Sequence, residues 1–369
     1  MTTMLPAPPK SLGRLGEVLK SSWSAVQGEE NSLGFEPKRV ICVVMVDGLG
    51  YSNLTAAAGH APFLNSRTSE KISCFFPATT STSLSSFATG LEPWSTNFTG
   101  YLVYDRDLGQ PMNLLSGWSS FEEGAAFQTG KTFSELAVEA GSSFHVVSAA
   151  AYKDSGFTGA TMRKAQYHPA NLVEERFAIA RDLLRSERGL IYLYVPELDQ
   201  TAHAFGSQST KWLNQLESLD SLVRNLVSSL PKDAAIVLTA DHGVVDVAET
   251  NHVYLDNFIS AENLTYVGGD TRGLQLYLSD AAEKGRFKEL LDSQLGDSCY
   301  ILEPKQLVES GWWGEFPDAR YLPDLLVLAR KSVALYHRDF AKKKSLLMVG
   351  HHGSITDAEL SVPLMKFNV

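Results

Sequence analysis

Cysteine is scarce in this chain. Cys42, Cys74 and Cys299 are three in 369 residues, an odd number with no Cys-x-x-Cys spacing. Such usage fits buried thiols in a reducing compartment better than a disulfide framework. No apolar run reaches the roughly 18 residues of a membrane-spanning helix. The opening Met1-Thr2-Thr3-Met4-Leu5-Pro6 also lacks the charged-then-apolar order of a secretory signal, so a cytoplasmic location is expected. Positive charge is short as well: 32 Lys and Arg against 42 Asp and Glu leave a formal net charge of −10. With no basic block of groove size, a nucleic-acid groove is not expected. The negative field slows the approach of phosphate esters unless cations counter it at close range. Internal repeats and low-complexity tracts are absent, and the oligomeric state is left open.

What is present is apolar sequence in the right places. The 44% hydrophobic content and the length suit one large α/β core with a smaller inserted subdomain. Residues 40–46 form a continuous apolar run of the kind a parallel strand buried on both faces requires, and 144–149, 190–195, 234–238 and 325–329 repeat the pattern. Helical patterns alternate with them. Thr132 and Glu135 form a capping box opening a helix over 132–140, and 211–230 places Leu213, Leu216, Leu219, Val223, Leu226 and Leu230 on one face. Strands alternating with helices predict a doubly wound, mostly parallel sheet. The expected organisation is an N-terminal extension (1–37), a core (38–261), an inserted α+β subdomain (262–320) and a core completion (321–369). The extension, with an amphipathic stretch from Leu12 to Val26, is expected to pack loosely.

Five short segments carry metal-binding chemistry. They are Val46-Asp47-Gly48, Phe76-Pro77-Ala78-Thr79-Thr80, Asp199-Gln200-Thr201-Ala202-His203, Asp241-His242-Gly243 and His351-His352-Gly353. Together they hold the ligand inventory of two neighbouring zinc ions with a nucleophilic hydroxyl. In a doubly wound sheet, residues that follow strands meet at the carboxyl ends, where ligands bind. Asp199 and His203, four apart, point the same way if helical. Three carboxylates in one cleft raise one another's pKa unless cations compensate. Two divalent cations against three carboxylates leave one positive charge to favour an alkoxide. Singly, each segment has an ordinary reading: Asp-Gly turns at strand ends, Thr80 as a helix cap, His203 as a surface histidine.

In this order the segments resemble the alkaline phosphatase superfamily, and within it the nucleotide pyrophosphatase/phosphodiesterase branch, over residues 38–369. The carrying residues are Asp47, Thr80 three after Pro77, Thr89-Gly90-Leu91, Asp199 with His203, Asp241-His242-Gly243 and Gly350-His351-His352-Gly353. The last motif nominates His352 and not His351. The resemblance implies an alkaline phosphatase-like fold with two Zn2+, for which Mn2+ or Mg2+ are possible substitutes. One ion is expected on Asp47, Thr80, Asp241 and His242, the other on Asp199, His203 and His352. It further implies in-line attack by Thr80 on a small phosphodiester or pyrophosphate and a covalent phosphothreonine that water opens. Where that branch carries a phosphoryl-binding Asn, this chain has Tyr101; Tyr101 or the nearby Asn97 is the candidate substrate contact. A phosphomonoesterase, phosphonate hydrolase or phosphoryl transferase on the same core is the alternative, and a silent metal-binding scaffold the third reading.

Other features are assigned structural roles. Trp312 and Trp313 are expected to fill the subdomain interface. Residues 124–132 resemble a Walker A loop but have five residues between the glycines and no buried strand before them, so they read as a helix start. No C/S-x-P-x-R motif supports the sulfatase branch.

Overall fold

Seven strands lie side by side in the order Ser69–Ser73, Ser361–Phe367, Ala234–Thr239, Val40–Val46, Gly189–Val195, Ser143–Ser148 and Gln166–Pro169. In this computed structural model, which describes residues 5–11, 13–67, 69–316 and 319–369, every pairing in this sheet is parallel except the two that Ser361–Phe367 makes with Ser69–Ser73 and Ala234–Thr239. Leu12 and residues 1–4 lie outside the described residues. The apolar runs dictate the arrangement: every residue of Val40–Val46 and of Ala234–Thr239 is buried, as strands covered on both faces must be. Val40–Val46 sits between Ala234–Thr239 and Gly189–Val195, so the segments that follow these three strands emerge together at one edge.

Helices cover the faces. Thr132 and Glu135 form the expected capping box of Phe133–Glu139, and Thr210–Ser228 buries Leu216, Leu219, Val223 and Leu226. The Walker-like segment is the end of one helix, Phe121–Phe127, and the approach to the next.

The N-terminal extension is a docked helix, which corrects the expectation of loose packing. Leu15–Gln27 buries Leu15, Val18 and Leu19 completely and lies against Thr80–Thr89. Gly16 permits the close approach: a Cβ there would come within 2.9 Å of the Phe75 ring.

A second sheet of four antiparallel strands has the order Leu264–Asp270, Gly273–Leu278, Leu325–Ala329 and Cys299–Leu302. The helix Lys284–Leu295 lays Phe287, Leu291 and Leu295 on it, making a separate core. Leu325–Ala329 therefore differs from the parallel core strand expected, and this sheet extends past residue 320. A run buried on both faces looks the same in sequence whichever sheet it joins. Trp312 and Trp313 are buried against Phe76, with ring centroids 5.7 and 5.6 Å away.

Candidate metal centre

Asp47 follows the central strand directly and Asp241 follows its neighbour after one residue, while Asp199 and His203 project from the helix Glu197–Phe205 beyond the next strand. Gly48 lets these segments close on each other. Its φ of +71° is a left-handed conformation, and a Cβ there would lie 2.8 Å from the Asp199 carboxylate. Thr80 opens the helix Thr80–Thr89, and His352 arrives from the loop after the second sheet. Asp47, Thr80, Asp199, Asp241, His242 and His352 are all nearly inaccessible, each 7% exposed or less.

The ligand atoms converge. His242 Nε2 lies 3.1 Å from Thr80 Oγ1, 3.4 Å from Asp47 Oδ1 and 3.6 Å from Asp241 Oδ2. Two groups of three residues place their ligand atoms within 4.8 Å of one another: Asp47, Asp241 and His242, and Asp199, His242 and His352. His242 thus belongs to both. His203 joins through Asp199, its Nε2 3.0 Å from Oδ2.

Each imidazole is oriented by a backbone carbonyl at Nδ1. His203 pairs with Gly350 O at 2.8 Å, His352 with Ala78 O at 3.0 Å and His242 with Gly243 O at 3.3 Å. A carbonyl can only accept, so Nδ1 carries the hydrogen and Nε2 is left as the ligand atom. Asp241 Oδ1 accepts from the N–H of Gly48 and of His242, both at 3.1 Å, and the Tyr194 hydroxyl donates to Asp47 Oδ2. Three carboxylate oxygens, Asp47 Oδ1, Asp199 Oδ1 and Asp241 Oδ2, are buried without any hydrogen-bond partner. Orphaned buried charge of this kind needs a cation, and imidazole with carboxylate is a donor set that divalent metals accept. The residues present form two candidate groups for divalent metal that share His242.

Electrostatics agree. Burial pushes the Asp47 carboxyl well above its ordinary range, and the charges of Asp241 and Asp199 push it further. Burial also raises Asp241. Burial alone would raise Asp199, but the His203 imidazolium beside it holds it well below the usual range; in turn Asp199 overcomes burial and lifts His203 to about 9. The metal-free cleft thus manages its charge by placing protons where cations belong.

His351 is turned away from the cluster. Its Nδ1 meets the Thr271 hydroxyl at 2.8 Å and its Nε2 meets Met348 O at 3.1 Å. Tyr101 is half-buried, and burial raises its hydroxyl while Asn113 beside it acts the other way. It follows Gly100, whose carbonyl accepts the Ser81 hydroxyl at 2.8 Å beside Thr80. Asn97 caps Pro93–Thr96 in a left-handed conformation with φ of 63°. Among the described residues, no hydrogen bond joins Tyr101 or Asn97 to the seven nominated ligands. Sequence reasoning passed over Tyr194 and Asp270. Tyr194 stands one residue before the end of its strand, and Asp270 opens an Asp-Thr-Arg-Gly turn; both were visible only as ordinary strand and turn residues. Burial pushes Asp270 up to about 7, with Thr79 beside it acting the other way, and its Oδ2 is buried without a hydrogen-bond partner.

Residues 41–355 match the family described as type I phosphodiesterase / nucleotide pyrophosphatase. Human ectonucleotide pyrophosphatase / phosphodiesterase 5 superposes with a TM-score of 0.69 at 15% identity, covering 88% of this chain and 87% of that one. An inactive murine form in complex with AMP gives 0.68 at 16%, with the same coverage. The phosphonoacetate hydrolase of Sinorhizobium meliloti 1021, in complex with phosphonoformate, gives 0.70 at 18%, covering 89% and 90%. A GPI ethanolamine phosphate transferase 1 of Chaetomium globosum is 35% identical over 97 residues, 23% of this chain, and the chain spans only 10% of that relative's length. No helix among the described residues is long and apolar enough to cross a membrane.

Proposed function

This chain belongs to the type I phosphodiesterase / nucleotide pyrophosphatase family, and on that premise we propose that it hydrolyses a small phosphodiester or pyrophosphate through a phosphothreonine at Thr80. The observation that carries this reading is the set of three partnerless carboxylate oxygens facing imidazole nitrogens around the Thr80 hydroxyl. Asp47, Thr80, Asp241 and His242 would hold one divalent cation, and Asp199, His203 and His352 the other. When bound, the cations supply the positive charge that lowers the pKa of the Thr80 hydroxyl and offsets charge on the phosphoryl oxygens. Three neutral imidazoles among the donors favour zinc over magnesium, which prefers oxygen ligands and retained water.

The protein's own groups do the rest. Thr80 Oγ1 forms the new bond to phosphorus as the opposite ester or anhydride bond breaks, and water then opens the phosphothreonine. The helix that begins at Thr80 directs its first N–H groups and the positive end of its dipole toward the phosphoryl oxygens. Tyr101 or Asn97 serves as a further donor to the substrate. The cytoplasmic location expected from the cysteines gains no support from relatives whose names mark them as ectoenzymes; Cys42, Cys74 and Cys299 are buried and unpaired.

Turnover of bis-p-nitrophenyl phosphate against p-nitrophenyl phosphate tests the reading, with metal analysis of protein purified without chelator. Faster diester cleavage with two zinc ions per chain supports it. Preference for the monoester supports the phosphomonoesterase alternative, and no turnover of either in fully metallated protein supports the silent scaffold.

A further inference from the structure

His242 and His352 reach the cleft from distant parts of the chain, yet one residue holds both of their loops. Glu359 lies in the short helix Asp357–Leu360 and is completely inaccessible. Its main-chain carbonyl accepts the N–H of Gly243, the residue after His242, at 2.8 Å. Its carboxylate accepts the N–H of Ser354, two residues after His352, at 2.9 Å on Oε1 and takes the Thr356 hydroxyl on Oε2.

A carboxylate so deeply buried needs a compensating cation, and the second sheet supplies it. Arg272, in the turn between Leu264–Asp270 and Gly273–Leu278, is also inaccessible; its Nε lies 2.9 Å from Oε1 and its Nη2 3.0 Å from Oε2, so the guanidinium meets both carboxylate oxygens. Its third nitrogen is held as well, Nη1 donating to the carbonyls of Lys331 and Val333 at 2.9 and 3.0 Å. Ser354 closes the circuit by donating its hydroxyl at 2.6 Å to the carbonyl of Ala329, the last residue of the strand Leu325–Ala329. The loop that follows His352 is therefore slung between Glu359 and the second sheet. The His242 loop is anchored differently. A Cβ on Gly243 would come within 2.1 Å of Ala358 O and 3.0 Å of Gly50 Cα, and Asn53 brackets Val244, accepting from its N–H at 3.1 Å and donating to its carbonyl at 3.0 Å. Backbone packing and Asn53 hold that loop without the Glu359 carboxylate.

We propose that the buried Arg272–Glu359 pair positions one of the two metal sites: it fixes the loop that carries His352, so that the second sheet, which supplies no ligand, governs the affinity of the site built from Asp199, His203 and His352. The inference rests on the reading of those residues as metal ligands. Its physical basis is preorganisation. A ligand that must be ordered as the metal arrives binds it more weakly than one already in place, because the ordering entropy is taken from the binding free energy. A buried ion pair is at the same time a weak source of stability, and an apolar pair of similar volume commonly serves the fold as well. What an apolar pair does not supply is an acceptor for the Ser354 N–H and a directional link to the second sheet. Stability and metal affinity should therefore separate when the pair is replaced.

The test is zinc affinity, measured on the full chain by competition with a chromophoric chelator, beside thermal melting. Replacing the pair by an apolar one, Arg272→Met with Glu359→Leu, should keep the Tm within about 5 °C of the parent. The same double variant should weaken one zinc ion by about ten- to a hundredfold and the other by less than about threefold. Glu359→Gln, which leaves Arg272 without its counter-charge, should show the same split at a lower Tm, and it carries the test if the apolar pair does not fold. In a His352→Ala background, which keeps only the other ion, replacing the pair should change zinc affinity by less than about threefold. Equal weakening of both ions, a loss that persists in the His352→Ala background, or failure of both variants to fold would overturn the inference by making the pair a support of the whole structure. Unchanged affinity for both ions would overturn it too. A parent chain that takes up fewer than two zinc ions in excess zinc would instead remove the reading of the ligands beneath it.

Discussion

The imidazole of His242 stacks on that of His352, with centroids 3.9 Å apart and planes inclined by 24°. The two rings come from opposite ends of the second sheet's insertion, and each presents Nε2 to the cleft. Each ring of the pair is assigned to a different cation, so the stack makes the two candidate sites neighbours that share a wall. Two imidazolium rings would repel at this distance; burial, with the His242 charge adding to it, pushes His352 well below its ordinary range. His352 is thereby held in the neutral form, which is the form that ligates metal.

Thr80→Ala should abolish turnover while both cations remain, because three carboxylates and three imidazoles persist. Thr80→Ser should retain activity, since the hydroxyl survives. Acid quench after brief incubation, followed by peptide mass spectrometry, should place the phosphoryl group on Thr80. An adduct on Thr79 or on a serine would contradict the assignment.

His352→Ala should remove one metal ion per chain and at least about a hundredfold of activity, in line with losing a direct ligand. His351→Ala should leave metal content intact and act on stability, by about 1–3 kcal/mol, because it orphans the Thr271 hydroxyl and Met348 O. Metal analysis beside chemical denaturation of both variants checks the ranking, and the reverse order would shift the motif register by one residue.

Metal-free protein should lose stability as pH rises. Asp47, Asp241 and Asp270 are all raised by burial, Asp270 to about 7. A carboxyl raised in the folded state binds its proton more tightly than the unfolded chain does. Its contribution is therefore full below about pH 4 and is lost as pH climbs through the folded value. Asp199, which is lowered, contributes in full above about pH 4, and the His203 contribution, full below about pH 6.5, is lost as pH climbs to about 9, so neither reverses the trend. The Tm of chelator-treated protein should fall from pH 5 to 8, and zinc should restore more of it at pH 8 than at pH 5. A chelated Tm that rises across this window would show the carboxyls to be ionised and otherwise compensated.

Leu19→Ala should destabilise the protein by about 2–5 kcal/mol, the usual range for truncating a fully buried leucine. Leu19 is wholly inaccessible in the docked N-terminal helix. Urea denaturation measures it, and a change below about 0.5 kcal/mol would mean that the helix is not part of the core.

The parallel strands were legible because a strand buried on both faces must be apolar throughout, as Val40–Val46 is. The same criterion could not tell Leu325–Ala329 from them, since burial says nothing of strand direction. The convergence of Asp47, Asp199 and Asp241 follows from strand order, and motif spacing distinguished His352 from His351. Asp270 was not legible. Its place depends on a hairpin tip meeting a loop more than eighty residues away, and on the absence of a Cβ at Gly353. The docked helix was missed because Leu15, Val18 and Leu19 form a short apolar stripe amid Ser, Gly and charge, which resembles a surface segment until its partner is known.

All seven nominated ligands lie either before residue 264 or after residue 329, so the four-stranded sheet supplies none of them. The reacting centre and the wall beside it are therefore separable units of inheritance. A lineage could exchange or reshape the second sheet without rebuilding the candidate metal centre. The constraint on such an exchange is the hairpin tip, where Asp270, Thr271 and Arg272 meet Gly353, His351 and Glu359. Three consecutive residues there act as a key, and only replacements cut to the same pattern would seat the His352 loop correctly.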